Sequence, residues 1–160
     1  MAKGIYTPQH PEKYLGDPTK IRYLSSWELK FFHGCDLNPN VIKWGSEEFK
    51  VHYWHPIKLA VKTYIPDIWM QYRDAKGVIH TEVIEIKPMK QSVLSSNMST
   101  YDKVQLVINH AKWTACKAIC DAGGIKFRVV TEQGSSYDWN TPTDWSSKAL
   151  FRTAPPAKKA

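Results

Sequence analysis

Alternating polar and apolar residues between Tyr64 and Lys90 predict a β-hairpin. The first predicted strand, Ile65–Tyr72, is rich in the bulky and aromatic residues that strands favour. The segment Arg73-Asp74-Ala75-Lys76-Gly77 has the composition of a turn, since its glycine can take a positive φ. The second predicted strand is Val78–Lys87, and Pro88 ends it because proline cannot donate a ladder hydrogen bond.

The two faces of the second strand carry different residues, since successive side chains in a strand point to opposite sides. Ile84 and Ile86 share one face and require a hydrophobic core, whereas Glu85 and Lys87 share the other. Folding the hairpin about residues 75 and 76 pairs position 67 with 84 or 85. We therefore expect Asp67 beside Glu85, with their Cβ atoms about 5 Å apart. A shift of one residue in this register would put the two carboxylates on opposite faces.

Two neighbouring carboxylates repel each other unless a cation lies between them. A divalent cation that takes oxygen ligands fits Asp67 and Glu85, and a surface hairpin with solvated carboxylates is the alternative. Pro66 interrupts the strand ladder just before Asp67. This is expected where a side chain is released at the edge of a site, and also in an ordinary edge strand. The hairpin alone leaves these alternatives open.

A helix is predicted to begin at Ser25, because Ser25-Ser26-Trp27-Glu28 fits a capping box. Phe31 and Phe32 continue its apolar face, and the helix is expected to end near position 34 or 35. Glu28 has two possible roles, one in closing the cap and one in reaching toward a metal ion. The local sequence favours the cap.

Further strands are predicted on either side of the hairpin. Before it lie Val41–Trp44, Phe49–Trp54 and Lys58–Tyr64; after it lie the polar segment Met89–Thr100, expected to be a loop, and the strand Lys126–Thr131. The tryptophans could stack on bases, but packing in the core is the default for that residue. They are Trp44, Trp54, Trp69 and Trp113.

A long helix is predicted over Tyr101–Ala122, with Ser99 or Thr100 as its cap. Together with the flanking strands it implies a right-handed crossover onto the same sheet. We expect this crossover to cover the apolar face of Ile84 and Ile86. The apolar stripe of the helix is predicted to consist of Val104, Val107, Ile108, Ala111, Ala115, Ala118 and Ile119.

Length and charge limit the possible functions. The 160 residues suit one domain, and the net charge of +7 with a pI near 9.3 favours a polyanionic partner, nucleic acid first. No apolar run approaches the roughly 20 residues of a membrane span, and the N-terminus lacks the apolar core of a secretion signal. A protein that is neither secreted nor bound to a membrane is expected.

Three cysteines, Cys35, Cys116 and Cys120, indicate a reduced intracellular chain. Zinc binding by Cys116, Cys120 and a histidine such as His110 is conceivable, but small buried helix residues explain the thiols better. The chain is expected to divide into an extended N-terminal arm (1–20), a core (21–132) and a C-terminal extension (133–160) that ends in a disordered basic tail.

Pro66-Asp67 and Glu85-Ile86-Lys87, on adjacent strands followed by a helix and another strand, resemble the PD-(D/E)xK nuclease superfamily. This resemblance implies an α/β fold with a restriction-endonuclease-like core, in which helices flank a mixed central sheet. A closer resemblance is to the head-completion nucleases of T-even-type bacteriophages. It is carried by Gly16-Asp17-Pro18, Tyr23-x-Ser25-x-Trp27-Glu28, Asn38-Pro39, Trp44-Gly45-Ser46-Glu47, Pro66-Asp67-Ile68-Trp69 and Glu85-Ile86-Lys87-Pro88.

The resemblance implies a metal-dependent DNA endonuclease that acts in capsid maturation after DNA packaging. Its partners would be DNA and the head and neck proteins of a phage, and its location the virion and the host cytoplasm. A catalytically silent capsid, neck or DNA-binding protein on the same fold is one alternative. A repair or junction nuclease of this fold is another.

The resemblance also implies roles for the residues at the matching motif positions. Asp67, Glu85 and the carbonyl of Ile86 would hold Mg²⁺, for which Mn²⁺ can substitute, and Lys87 would be the catalytic lysine. Glu28 matches the acidic residue on the first helix of many superfamily members, as a further metal or water contact. Residues expected to contact DNA are Lys90, Lys103, Gln105 and Lys112.

Overall fold

The centre of the fold is a four-stranded mixed sheet with the strand order β3–β6–β7–β8. The computed structural model describes residues 3–87 and 97–131. Lys90, most of the expected loop 89–100 and the C-terminal extension 133–160 lie outside the described residues. In chain order the elements are β1 (Gly4–Tyr6), β2 (Ile21–Tyr23), α1 (Ser26–Leu37), β3 (Val41–Ser46), β4 (Val51–His55), β5 (Ala60–Tyr64), β6 (Ile68–Arg73), β7 (Ile79–Ile86), α2 (Thr100–Ala122) and β8 (Lys126–Val130).

The predicted hairpin is formed by β6 and β7, which pair antiparallel with Ile68 opposite Ile84. This register continues to Asp67 and Glu85, as the alternation predicts. Strand β6 begins three residues later than expected, at Ile68 rather than Ile65, because Pro66 has no N–H for the ladder. The four-stranded sheet with helices on both faces confirms the predicted α/β class with a mixed central sheet.

Helix α1 begins as its capping box predicts. The Glu28 N–H donates to Oγ of Ser25 over 3.1 Å. The helix continues to Leu37, past the end expected near position 34 or 35, because the Asn38 N–H still donates to the Gly34 carbonyl. The predicted apolar face is correct, since Phe31 and Phe32 are both buried.

Two hydrophobic clusters lie on opposite faces of the sheet. Ile84 packs in one cluster with Phe31 and Phe32 of α1, and Val83 packs in the other with Trp113 of α2. The expectation that the crossover helix covers Ile84 and Ile86 is therefore wrong. Helix α2 instead covers the face that carries Val83 and Glu85, because α1 already occupies the opposite face.

The apolar stripe predicted for α2 is only partly correct, since Ala111 and Ala115 pack against the second cluster but other members of the stripe do not. Val107 and Ile119 are 50% and 46% exposed, whereas the buried stripe consists of Leu106, Asn109, Trp113, Cys116 and Cys120. One tryptophan and two cysteines thus decide which face packs, although the valines and isoleucines are more numerous. Both cysteines are free and buried, as expected if they are small packing residues on the inner face of the helix. Ser99 caps the helix by accepting from the Asp102 N–H over 3.1 Å.

The N-terminal segment contributes to the core. β1 and β2 pair antiparallel, and Tyr6 and Tyr14 are buried against the first cluster. Asp36 fastens this segment, because its carboxylate accepts hydrogen bonds from the Tyr6 hydroxyl at 2.5 Å and from the Gln9 N–H at 2.8 Å.

A second hairpin, β4–β5, forms a separate two-stranded sheet that packs on α2. Its strands lie within about two residues of the predicted ones. Trp54 of this hairpin is exposed, while Trp44 and Trp113 are buried in the core. No helix in residues 3–87 or 97–131 is long and apolar enough to cross a membrane.

Candidate active site

The start of β6 and the end of β7 bring Asp67 and Glu85 together. The Asp67 N–H donates to Oε2 of Glu85 over 3.3 Å, and the Ile86 N–H donates to Oδ2 of Asp67 over 2.7 Å. Pro66 keeps Asp67 outside the strand ladder, so its side chain turns across the end of the neighbouring strand. The backbone thus holds two carboxylates side by side.

Glu85 is only 4% exposed and has two further partners. The hydroxyl of Tyr64, at the end of β5, donates to Oε2 of Glu85 over 2.7 Å. Lys87 Nζ lies 3.6 Å from Oε1 of the same carboxylate. The Lys87 N–H donates to the Val130 carbonyl over 3.0 Å, so the lysine backbone is fixed by the neighbouring strand.

The two carboxylates are poorly compensated electrostatically. Burial and the nearby Glu85 charge raise the pKa of Asp67 well above its ordinary value, and the hydrogen bond from the Ile86 N–H only partly opposes this rise. Burial also raises the pKa of Glu85, although Lys87 and the Tyr64 hydroxyl oppose this rise. A cation bound between them would relieve both effects.

The donor set fits a hard divalent cation in its chemistry. Asp67 and Glu85 supply carboxylate oxygens, and Mg²⁺ is commonly bound in proteins through one or two carboxylates with water completing its coordination. Within residues 3–87 and 97–131, no cluster of three or more His, Cys, Asp or Glu side chains has the arrangement of a metal site. Asp67 and Glu85 could hold such an ion together with a backbone oxygen and water.

Tyr64 is a site residue that the sequence pattern did not reveal. The sequence predicts it only as the last residue of the strand Lys58–Tyr64. Burial, together with the Glu85 charge, raises the pKa of its phenol well above the ordinary value, so the hydroxyl keeps its proton and donates. The packing of Tyr64 against Glu85 joins residues 21 positions apart in different sheets, and such a contact leaves no local signal in the sequence.

Glu28 takes part in the cap and also lies within electrostatic range of the site. Burial raises its pKa, and a hydrogen bond from the Leu24 backbone opposes that rise. The charge of Glu47 raises the pKa of Glu28 further, and that of Lys87 lowers it. The Glu28 charge in turn raises the pKa of Asp67. Glu28 can therefore take part in the N-terminal cap of α1 and still interact electrostatically with Asp67 and Lys87.

Lys112 lies on the α2 face that covers Glu85. Its Nζ is 5.9 Å from the ring centroid of Tyr53 and 5.7 Å from that of Tyr64. Burial lowers the pKa of Lys112, and the Lys87 charge lowers it further, while Glu85 raises it. Lys103 and Gln105 lie two turns or more before Lys112 on α2, with Lys103 exposed and Gln105 half-buried; their contact with DNA stays a prediction.

Residues 38–132 match the sequence model of the TnsA-like endonuclease N-terminal family. The chain belongs to this family. It is also 37% identical to the head completion nuclease of Enterobacteria phage T4 over 141 aligned positions, which cover 82% of this chain and 91% of that protein. The predicted resemblance to head-completion nucleases is thereby confirmed. No solved protein structure matches the chain significantly.

The part that matches the TnsA-like endonuclease family contains the whole carboxylate pair. Asp67, Glu85, Lys87 and Lys112 all fall within residues 38–132, whereas Glu28 precedes them. The family match therefore includes the four-stranded sheet and α2 but not α1.

Proposed function

We propose that this member of the endonuclease family hydrolyses phosphodiester bonds of DNA with the help of a divalent metal ion. The observation that carries this proposal is the carboxylate pair formed by half-buried Asp67 and buried Glu85, with Lys87 Nζ 3.6 Å from Glu85. By analogy with the head completion nuclease of phage T4, the reaction belongs to head completion after DNA packaging. Phage head and neck proteins would then be partners, in the virion and the host cytoplasm.

Asp67, Glu85 and the carbonyl of Ile86 would hold the metal ion, Mg²⁺ with Mn²⁺ as a substitute. When bound, such an ion polarises a phosphate oxygen and lowers the pKa of a water molecule. Hydrogen bonds from Ile86 and Tyr64 fix one oxygen of each carboxylate, which orients the other oxygen of each as a ligand. Glu28 would reach a water molecule near the same place.

Lys87 supplies the positive charge that the reaction requires. Its backbone is fixed by Val130, so its ammonium group is held near the attacked phosphate and stabilises the charge that develops there. Lys112, on the neighbouring helix, lies close enough to Glu85 for their charges to interact and would bind an adjacent phosphate. The net charge of +7 favours DNA as the substrate.

Cleavage of linear and supercoiled DNA in Mg²⁺ or Mn²⁺ tests this proposal. Wild type should cut, Asp67→Ala and Lys87→Ala should not, and Lys76→Ala should cut normally, since Lys76 lies in the turn at the opposite end of the hairpin. If wild type and both site variants cut equally, the site is wrong. If none of them cuts, the chain is a catalytically silent DNA-binding or capsid protein. If branched DNA is added as a further substrate and is cut selectively, the chain is a junction nuclease.

A further inference from the structure

The β4–β5 hairpin exposes apolar side chains that the fold does not use. Trp54, Ile57, Leu59 and Val61 are each 57% to 67% exposed. The opposite face of the hairpin is anchored, because Val51, Tyr53 and Tyr64 are buried in the cluster beneath α2. Large apolar side chains in solvent on a firmly anchored hairpin indicate a surface for contact with another molecule.

The same hairpin is positively charged throughout. Residues 49–65 contain Lys50, Lys58 and Lys62 and no aspartate or glutamate. Lys62 lies opposite Tyr53 in the β4–β5 register, and the amino group of Lys112 lies over the Tyr53 ring. Because directly opposite residues of an antiparallel pair share a face, Lys62 lies on the Tyr53 side of the hairpin with Lys112, and Lys58 lies in the adjoining turn. Charge of one sign along the hairpin matches a polyanion.

The turn at the tip has a defined shape. Nδ1 of His55 accepts hydrogen bonds from the N–H groups of Ile57 at 3.2 Å and Lys58 at 3.1 Å. Leu59 has a φ of 50°, a left-handed conformation that is rare outside glycine. The tip therefore presents Ile57 and Leu59 on a fixed turn.

We propose that the β4–β5 hairpin is an arm that contacts duplex DNA on one side of the cleavage site. Lys58 and Lys62 bind consecutive phosphates, and Ile57 and Leu59 press against the sugars and base edges of the minor groove, where apolar side chains commonly insert. This inference rests on the proposed nuclease function.

Binding measured apart from cleavage tests the arm. The probe is a fluorescently labelled linear duplex in EDTA, with anisotropy recorded at several salt concentrations. Lys58→Ala with Lys62→Ala should weaken binding about tenfold near 0.1 M salt and reduce the salt slope by about two. Ile57→Ser with Leu59→Ser should weaken binding about fivefold and leave the slope unchanged, since apolar contacts release no counterions.

Matched controls come from the turn at the far end of the β6–β7 hairpin. Lys76→Ala removes an exposed lysine there, and Ile79→Ser removes an isoleucine that is 50% exposed, against 57% for Ile57. Both should bind DNA as wild type does. Thermal unfolding of every variant shows whether the hairpin still folds.

The outcomes separate the arm from the proposed function. If the hairpin variants bind as tightly as the controls while wild type cuts DNA, the arm is refuted and the nuclease stands; the hairpin then fits a protein partner. If the hairpin variants bind weakly but wild type does not cut in Mg²⁺ or Mn²⁺, the proposed DNA contact of the hairpin is supported and the proposed nuclease function is refuted. Absence of DNA binding by wild type refutes the arm whatever cleavage shows.

Discussion

The two ends of the β6–β7 hairpin each carry an aspartate, and the two aspartates are held in opposite ways. Asp74, at the turn, accepts hydrogen bonds from the Lys76 N–H at 2.8 Å and the Val78 N–H at 3.0 Å, and its other oxygen lies 2.7 Å from Nε2 of His80. The hydrogen bond with His80 and those from the backbone lower its pKa. Its charge is compensated entirely within the turn.

Asp67, at the open end, has the contrary environment. It accepts a hydrogen bond from the Ile86 N–H, but burial and the charge of neighbouring Glu85 raise its pKa well above its ordinary value. The fold thus destabilises the charged form of the carboxylate at one end of the hairpin and stabilises it at the other. The difference is consistent with a structural role for Asp74 in the turn and with the role proposed for Asp67 as a ligand of a cation.

The largest expected effect is on cleavage. Asp67→Asn should reduce the rate about a thousandfold or more, because the amide removes the charge that binds a metal ion while keeping the hydrogen bond with Ile86. Asp74→Asn should retain nearly the wild-type rate. Initial rates on linear DNA at saturating Mg²⁺ measure both, and equal losses in the two variants would contradict the distinction between the aspartates.

Metal-dependent stability is the next effect. A hundredfold excess of Mg²⁺ over its dissociation constant should stabilise wild type by about 2.7 kcal/mol. Asp74→Asn should show the same rise in melting temperature, and Asp67→Asn should show little. Thermal unfolding with and without Mg²⁺, and again after addition of EDTA, measures this difference. A rise in Asp67→Asn as large as that in Asp74→Asn would exclude Asp67 as a ligand.

A smaller effect is expected at Glu85, which lies between the two extremes because Tyr64 satisfies one of its oxygens. Tyr64→Phe should slow cleavage about tenfold, since a lost hydrogen bond to a buried charge costs about 1.5–3 kcal/mol and part of this loss concerns the folded ground state. Tyr53→Phe is the matched control, because its ring also lies beside Lys112. Equal losses of cleavage rate in the two variants, measured by steady-state kinetics, would contradict a specific role for the Tyr64 hydroxyl.

The sequence predicts the hairpin and its register well, for a local reason. Alternation fixes which residues share a face, and the turn around Gly77, where φ is 81°, fixes which positions pair. Asp67 and Glu85 therefore come together in the pattern before any tertiary contact is considered. The capping box at Ser25 and Glu28 is equally local and was equally predictable.

Apart from the exact ends of α1 and β6, the features missed by the sequence depend on packing between distant elements. The buried face of α2 follows Trp113 and two cysteines rather than the more numerous valines and isoleucines, because a sheet surface selects side chains by shape as well as by hydrophobicity. The contact of Tyr64 with Glu85 and the stacking of Lys112 require β5 and α2 to meet the same face of β7. Neither pairing leaves a periodic trace in the sequence.

The smallest expected effect concerns pH and the satisfied end of the hairpin. Because the folded pKa of Asp74 is lowered, its contribution to stability is present above the unfolded value of about 3.9 and is lost as the pH falls through the folded pKa. The melting temperature of wild type should therefore exceed that of Asp74→Asn by a constant few degrees above about pH 5, and the gap should close below about pH 4. Melting curves of both proteins from pH 3 to 7 measure this gap. A gap that widened on acidification would mean that the carboxylate of Asp74 is not stabilised in its charged form, and the contrast between the two aspartates would then be refuted.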